Sequence, residues 1–200
     1  MRHVAILLIM FLTVSTACAL GGPASSGSES GATSSPAPRA AGTLQATPTV
    51  FTLTPQMLAN LEYSIGDIRV SLANGAFNGQ LPGFPGPGVA SMGPTAFGDL
   101  DNDGVSDAAA IVFYNTIGTT GHFSYLEAVL VNNGKPQNAA NVFLGDRERI
   151  ETMTIVNGEV VISLIAHAPG DGGCCPSVAQ TWRYRLQSGK WVQLDLNHHY

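Results

Sequence analysis

The amino-acid sequence predicts a mainly β fold: a single antiparallel sandwich or curled sheet with one short N-terminal helix. Three observations support this prediction. Only 12% of the 200 residues are charged, which disfavours long charged helices and coiled coils. The chain contains 23 Gly and 12 Pro, as expected where turns are frequent. Several short segments alternate apolar with polar residues, which is the pattern of half-buried strands.

The elements can be assigned in chain order. Thr54 provides an N-cap and Pro55 a first helical position for a short helix that carries Met57, Leu58 and Leu61. Strands are predicted at Ile68 to Leu72, Pro94 to Gly98, Ala108 to Tyr114, Phe123 to Val131, Ile150 to Val156, Glu159 to Ala166, Thr181 to Leu186 and Trp191 to Leu194. Hairpin turns are predicted at Asn74-Gly75, Asn157-Gly158 and Ser188-Gly189. The Gly- and Pro-rich stretch 78–93 reads as a long loop, either mobile, covering a sheet edge or binding a ligand.

Residues 1–17 have the layout of an export signal. Arg2 and His3 precede an apolar run, which small residues and then Cys18 follow. The run is too short to cross a bilayer as a helix. Residues 14–18 resemble a bacterial lipobox, with Ser15 where Leu is usual, and this resemblance implies that Cys18 is lipidated and becomes the new N-terminus. A rival cleavage after Ala19 would release a soluble secreted protein.

The segment 18–48 is almost wholly Ala, Gly, Ser, Thr and Pro, so it is predicted to be a disordered tether. Residues 49–200 then form the β-rich domain. The net charge is −5 and no basic cluster is present, which excludes nucleic acid as a partner. We therefore expect a bacterial cell-envelope protein, extracytoplasmic and bound to the membrane through its lipid anchor.

A cluster of acidic residues is the one constellation with a chemical mechanism. Asp99, Asp101, Asp103 and Asp107 occupy loop positions 1, 3, 5 and 9, with Gly104 at position 6. Like charges about 4 Å apart repel by roughly 1 kcal/mol in water and by more near a protein surface. Hard oxygen ligands at alternating positions favour Ca²⁺, and the carbonyl of Val105 would complete the set. The alternative is a metal-free Asp/Asn/Gly turn.

This loop is not an EF-hand, because Ala110 stands at position 12 and strand-forming residues follow. The segment from Phe97 to Asp107 resembles the FG-GAP calcium loop of integrin-like propeller blades. The resemblance implies side-chain ligands at the four aspartates, a carbonyl ligand at Val105 and a structural Ca²⁺. Those propellers carry several such loops, whereas this sequence has one.

A wider resemblance links the chain to bacterial exported lipoproteins of uncharacterised function. It rests on Gly98 to Asp107, Gly121 to Leu126, Leu144 to Arg147, His167 to Asp171, and Cys174 to Pro176. It implies export and a single β-domain, and no activity.

Cys174 and Cys175 are adjacent. Neighbouring Cα atoms lie closer together than an ordinary disulfide prefers, but an oxidising envelope favours the bond. The sequence leaves open a vicinal disulfide, a buried reduced pair and a redox-active or metal-binding pair.

The favoured hypothesis is a non-catalytic binding or envelope-associated module. One alternative is an envelope hydrolase that uses His167 and Asp171 or the acidic loop; another is a thiol redox or sensor protein that uses the cysteine pair. Glu127 and Glu151 could pair as the carboxylates of a glycosidase. A metal or acid–base site could likewise be assembled from His167, Asp171, Asp195, His198 and His199. No zinc-protease, nucleophile-elbow or phosphate-loop motif occurs.

Overall fold

The computed structural model describes residues 51–81 and 86–195. The predicted export signal, Cys18, the tether and the histidine pair at the C-terminus lie outside these residues.

The described residues form one helix and eleven strands. Their bounds are α1 Pro55–Leu58, β1 Glu62–Ile65, β2 Ile68–Ser71, β3 Ala76–Gln80, β4 Pro87–Gly98, β5 Asp107–Thr116, β6 Phe123–Asn132, β7 Lys135–Asp146, β8 Arg149–Val156, β9 Glu159–Ala166, β10 Val178–Gln187 and β11 Lys190–Gln193. All pairings are antiparallel, in sheets ordered β1-β2, β3-β4-β5-β6-β7 and β11-β10-β9-β8. The mainly β fold with one short N-terminal helix is confirmed.

The five-stranded sheet is the middle layer of the domain. One of its faces packs with α1, β1 and β2 into a first core, and the other packs against the four-stranded sheet in a second core. Strand β5 contributes to both: Ala108, Ala110 and Val112 face the first core, and Ala109 and Ile111 face the second. Residues 108–112 of this strand are therefore all buried and apolar, in a continuous run rather than in alternation.

Helix α1 begins as predicted and ends early. The Thr54 hydroxyl accepts the N–H of Met57 at 3.3 Å, and Pro55 is the first helical residue. After Leu58 the backbone continues in turns, and the predicted helical residue Leu61 lies beyond the end.

The hairpins at Asn157-Gly158 and Ser188-Gly189 form as predicted, joining β8 to β9 and β10 to β11. Asn74-Gly75 also turns with positive φ at both residues, as a primed turn requires. It joins strands of two different sheets, however, with a single bridge between Ala73 and Ala76. The prediction missed β1, β3 and the β6–β7 hairpin, which turns at Asn133-Gly134.

The prediction of a long loop over residues 78–93 was wrong. Residues 78–80 belong to β3 and residues 87–93 to β4, and the two strands pair. Glycines in β4 make room for rings on β5: a Cβ on Gly88 would lie 2.8 Å from Tyr114, and one on Gly93 would lie 2.5 Å from Phe113. Pro94 is tolerated because the register with β5 shifts between Met92 and Thr95. These residues therefore serve packing within the sheet.

Candidate functional site

The predicted calcium loop, residues 99–107, connects β4 to β5 and is called the acidic loop below. Asn102 and Gly104 have φ of 65° and 85°. A Cβ on Gly104 would meet no atom within 4 Å, so Gly is favoured there by backbone conformation rather than by space. This agrees with the sharp turn expected at loop position 6.

Asp107 is the fixed point of the acidic loop. It is only 1% exposed, and its Oδ2 accepts the N–H of Leu100 at 3.0 Å while its Oδ1 accepts the N–H of Val131 at 2.9 Å. Burial raises the pKa of this carboxyl, the two backbone hydrogen bonds oppose that rise, and the nearby charges of Asp101 and Asp103 add to it. A neighbouring cation would offset the cost of burying this negative charge and its repulsion by Asp101 and Asp103.

Three of the four predicted aspartate ligands come together. One carboxylate oxygen each from Asp99, Asp101 and Asp107 lies within 4.8 Å of the others. Asp103 is not in this group; its Oδ1 accepts the N–H of Val105 at 2.7 Å. Three convergent hard oxygen donors fit the chemistry of Ca²⁺. The carbonyl ligand at Val105 stays a prediction.

The acidic loop folds on its own backbone and lies beside the β8–β9 turn, since a Cβ on Gly158 would lie 3.5 Å from the carbonyl oxygen of Asp99. Asp99 accepts the N–H groups of Asn102 and Gly104 at 2.7 and 3.0 Å. A Cβ on Gly98 would lie 2.7 Å from Ile155 Cγ2, so the glycine of the Phe-Gly-Asp sequence lets β8 pack closely on β4. On its other side the loop borders a cavity of about 860 Å³ that Asp103 and Gly104 help to line.

The residues of the alternative hydrolase site have roles in the fold. Asp171 accepts the N–H groups of Ala168 and Ser177 at 2.7 and 3.1 Å, and hydrogen bonds from these donors lower the pKa of its carboxyl. His167 Nε2 lies 3.2 Å from the carbonyl oxygen of Asp146. Asp195 accepts the N–H of Arg183 at 2.9 Å. Each of these groups therefore has a local partner in the backbone.

Cys174 and Cys175 form a vicinal disulfide, and both residues are exposed. The guanidinium of Arg147 holds this segment to two others. It donates to the carbonyl of Gly173 at 2.6 Å, to the carbonyl of Thr120 at 2.7 Å and to Asp146 Oδ2 at 2.6 Å. Together with the His167–Asp146 contact, these hydrogen bonds bring together the segments around residues 121, 145, 167 and 174, on which the lipoprotein resemblance partly rests.

A cleft of about 520 Å³ opens beside this junction and is called the disulfide cleft below. Its lining includes His122, Glu148, Arg149, Cys174 and Cys175. Glu148 was not predicted from the sequence, because five of the six residues in 146–151 are charged and such a stretch has the composition of a solvated surface.

Glu127 is a third buried acid, besides Asp107 and Glu148, and it is not paired with Glu151 as a glycosidase site would need. It is fully buried near Tyr63, and desolvation raises the pKa of Glu127 to about 8. Asn138 donates to Glu127 Oε2 at 2.8 Å and accepts the N–H of Ser64 at 3.0 Å, which ties β1 to β7. Glu151 is instead on the exposed edge of the four-stranded sheet, paired with Arg149.

Among the described residues, no helix has the length and apolar character needed to cross a membrane. No protein-family model, curated protein or solved structure matched this chain.

Proposed function

We propose that the chain is a lipid-anchored, extracytoplasmic β-domain that acts as a non-catalytic binding module and uses one structural Ca²⁺. The observation that carries this proposal is the convergence of Asp99, Asp101 and Asp107 around a buried, backbone-anchored carboxylate. An ion there would join the β4–β5 connection to β6 through the Val131 N–H held by Asp107.

The anchor part of the proposal rests on the sequence. The lipobox-like residues 14–18 and the polar tether of residues 18–48 precede the folded domain. A tether of thirty flexible residues reaches on the order of 30 Å, enough to hold a domain clear of a membrane surface. A non-catalytic role is supported by His167 and Asp171, which are occupied in local hydrogen bonds.

Thermal unfolding with Ca²⁺ and with EGTA tests the ion. At a concentration 100-fold above Kd, a bound ion stabilises the native state by about 2.7 kcal/mol. For a chain of this size we expect the midpoint to rise by about 5–10 °C. The double variant Asp99→Asn, Asp101→Asn should lose this rise, and Asp67→Asn, on an exposed turn, should keep it. Equal midpoints of the wild type in Ca²⁺ and EGTA would exclude a structural ion.

Mass spectrometry of the protein isolated from bacterial membranes tests the anchor. We expect an N-terminal peptide that begins at Cys18 and carries acyl chains. A peptide that begins at Leu20 would mean secretion, and an intact residue 1 would mean that no signal is cleaved.

A further inference from the structure

The vicinal disulfide between Cys174 and Cys175 lies at the surface, in the connection between β9 and β10. Both cysteines are exposed, and both line the disulfide cleft. Neither belongs to a strand or to one of the two hydrophobic cores. A thiolate must reach a sulfur atom in order to attack a disulfide, so this position permits exchange with a thiol from solution.

The disulfide contributes almost nothing to the fold through chain closure. The stabilisation expected from a disulfide grows with the length of the loop that it closes, and adjacent residues close almost none. The connection is also held by hydrogen bonds that do not involve sulfur. Asp171 accepts the N–H groups of Ala168 and Ser177 at 2.7 and 3.1 Å, and the N–H of Cys175 donates to the carbonyl of Gly172 at 2.9 Å. A purely structural role therefore explains this bond poorly.

Arg147 holds the cysteine pair from a neighbouring connection. Its guanidinium donates at 2.6 Å to the carbonyl of Gly173, the residue before the first cysteine, and at 2.7 Å to the carbonyl of Thr120. Both acceptors are backbone oxygens, so neither contact requires the S–S bond. Reduction should therefore leave two thiols on a segment that keeps its place, and the bond can form again between them.

The adjacency of the two cysteines favours their reduction. Their Cα atoms lie 3.8 Å apart, as across any trans peptide, whereas ordinary disulfides place the Cα atoms roughly 4.4–6.8 Å apart. A disulfide with such a mismatch is more easily reduced than an ordinary one. Strained or exposed disulfides are also the ones that act as labile, regulatory or catalytic bonds. This bond should thus exchange under conditions that leave structural disulfides intact.

We propose that Cys174 and Cys175 form a reversible two-electron redox site that exchanges with thiols. A thiolate of the partner attacks one sulfur atom and forms a mixed disulfide, and the other cysteine leaves as a thiolate that takes up a proton from water. A second partner thiolate then attacks the partner's sulfur in the mixed disulfide and releases the remaining cysteine, which is protonated in the same way. The chain gains two electrons and two protons, and two partner thiols become one disulfide.

The thiol can come from a small molecule such as glutathione or from a protein dithiol, and the chemistry at the cysteine pair is the same. This activity is additional to the binding module proposed above. It depends neither on the calcium ion nor on the lipid anchor.

The test measures the redox state of the pair in the full-length protein. Free thiols, including Cys18 where it carries no acyl chain, are first blocked with N-ethylmaleimide. The protein is then equilibrated in a glutathione buffer as reducing as a typical cytosol, in which structural disulfides stay roughly 99% oxidised. New thiols are labelled with a second maleimide and counted by mass spectrometry on the tryptic peptide 150–183. We expect two labels on at least half of the chains.

A parallel reaction replaces glutathione by reduced thioredoxin, a protein dithiol, at the same thiol concentration. Faster reduction by thioredoxin would assign the partner to protein dithiols. Reduction by glutathione at an equal or higher rate would assign it to small thiols. Both results support the redox site.

Two variants sharpen the test. Cys175→Ser should keep a glutathione adduct on Cys174 after treatment with oxidised glutathione, because no neighbouring thiol remains to displace it, whereas the wild type should keep none. Cys18→Ser is the matched control and should give the same two labels on peptide 150–183 as the wild type does.

The wild-type measurement decides the proposal even where Cys175→Ser fails to fold. A pair that stays oxidised with both reductants, or loss of the folded NMR spectrum on reduction, would overturn it. The calcium-dependent melt is measured on the oxidised protein. A protein that melts with calcium dependence but has an inert disulfide therefore refutes this inference and leaves the structural ion standing.

Discussion

Replacing Glu127 by Gln should change how the stability of the domain depends on pH. In the native protein burial raises the pKa of Glu127 to about 8, whereas the group starts from 4.5. Between pH 4.5 and about pH 8 the native state therefore keeps a proton that the unfolded chain has released. Stability is fully retained below the unfolded pKa and falls as pH rises toward the folded pKa. Above about pH 8 the loss is complete.

The magnitude follows from the linkage of about 1.4 kcal/mol per pH unit for one proton. Between pH 5 and pH 7, Glu127 should cost the wild type about 3 kcal/mol of unfolding free energy. The Gln variant has no proton to lose and keeps an oxygen for the Asn138 amide, so it should escape this loss. Tyr63 and Tyr125 lie near the carboxyl, and burial raises the pKa of both phenols, so neither titrates in this window.

Urea unfolding at constant Ca²⁺, at pH 5, 6 and 7, measures the effect. The informative quantity is the difference between the variant and the wild type at each pH, because all other titrating groups are common to both. We expect that difference to grow by about 3 kcal/mol across the range. Glu151→Gln, at an exposed strand edge, serves as the control and should show a constant difference. A constant difference for Glu127→Gln as well would refute the buried, protonated state.

Three further predictions concern packing and the disulfide segment. Gly98→Ala should cost about 1–3 kcal/mol in thermal melts because its methyl group would overlap a β8 side chain, whereas Gly86→Ala, with open space around it, should be nearly neutral. Arg147→Ala should speed amide exchange over residues 172–176, and Arg147→Lys should restore only part of the protection because it lacks the guanidinium fork. After mild reduction, Cys174 and Cys175 should react with a thiol reagent. The free energy of unfolding should fall by less than about 1 kcal/mol, because a disulfide between adjacent residues closes almost no loop. Unreactive cysteines or a large loss of stability would contradict this.

Local patterns in the sequence were enough to predict the hairpins and the helix start. Asn157-Gly158 and Ser188-Gly189 determine tight turns by their own backbone preferences, and Thr54 caps its helix through a side chain three residues from its partner. Such features need no information from distant parts of the chain. Asn133-Gly134 has the same sequence signal, and its turn was not predicted.

Long-range packing accounts for the features that the sequence reasoning missed. Gly88 and Gly93 look like turn residues, but aromatic rings on β5 occupy the space beside them. The ring beside Gly88 belongs to Tyr114, which lies more than twenty residues further along the chain. The burial of Glu148 and Glu127 also depends on contacts between separate strands. For the acidic loop, spacing predicted four converging aspartates; three converge, while Asp103 is held by a backbone contact within the loop.

Asp107 belongs to the acidic loop and is also the first residue of a strand that contributes to both hydrophobic cores. Loss of the hydrogen bonds of that carboxylate would therefore free the start of β5, which packs against β1 and β2 on one face and against the four-stranded sheet on the other. The domain should consequently open as a single cooperative unit, so that slowly exchanging amides in β1–β2 and in β8–β11 become labile together.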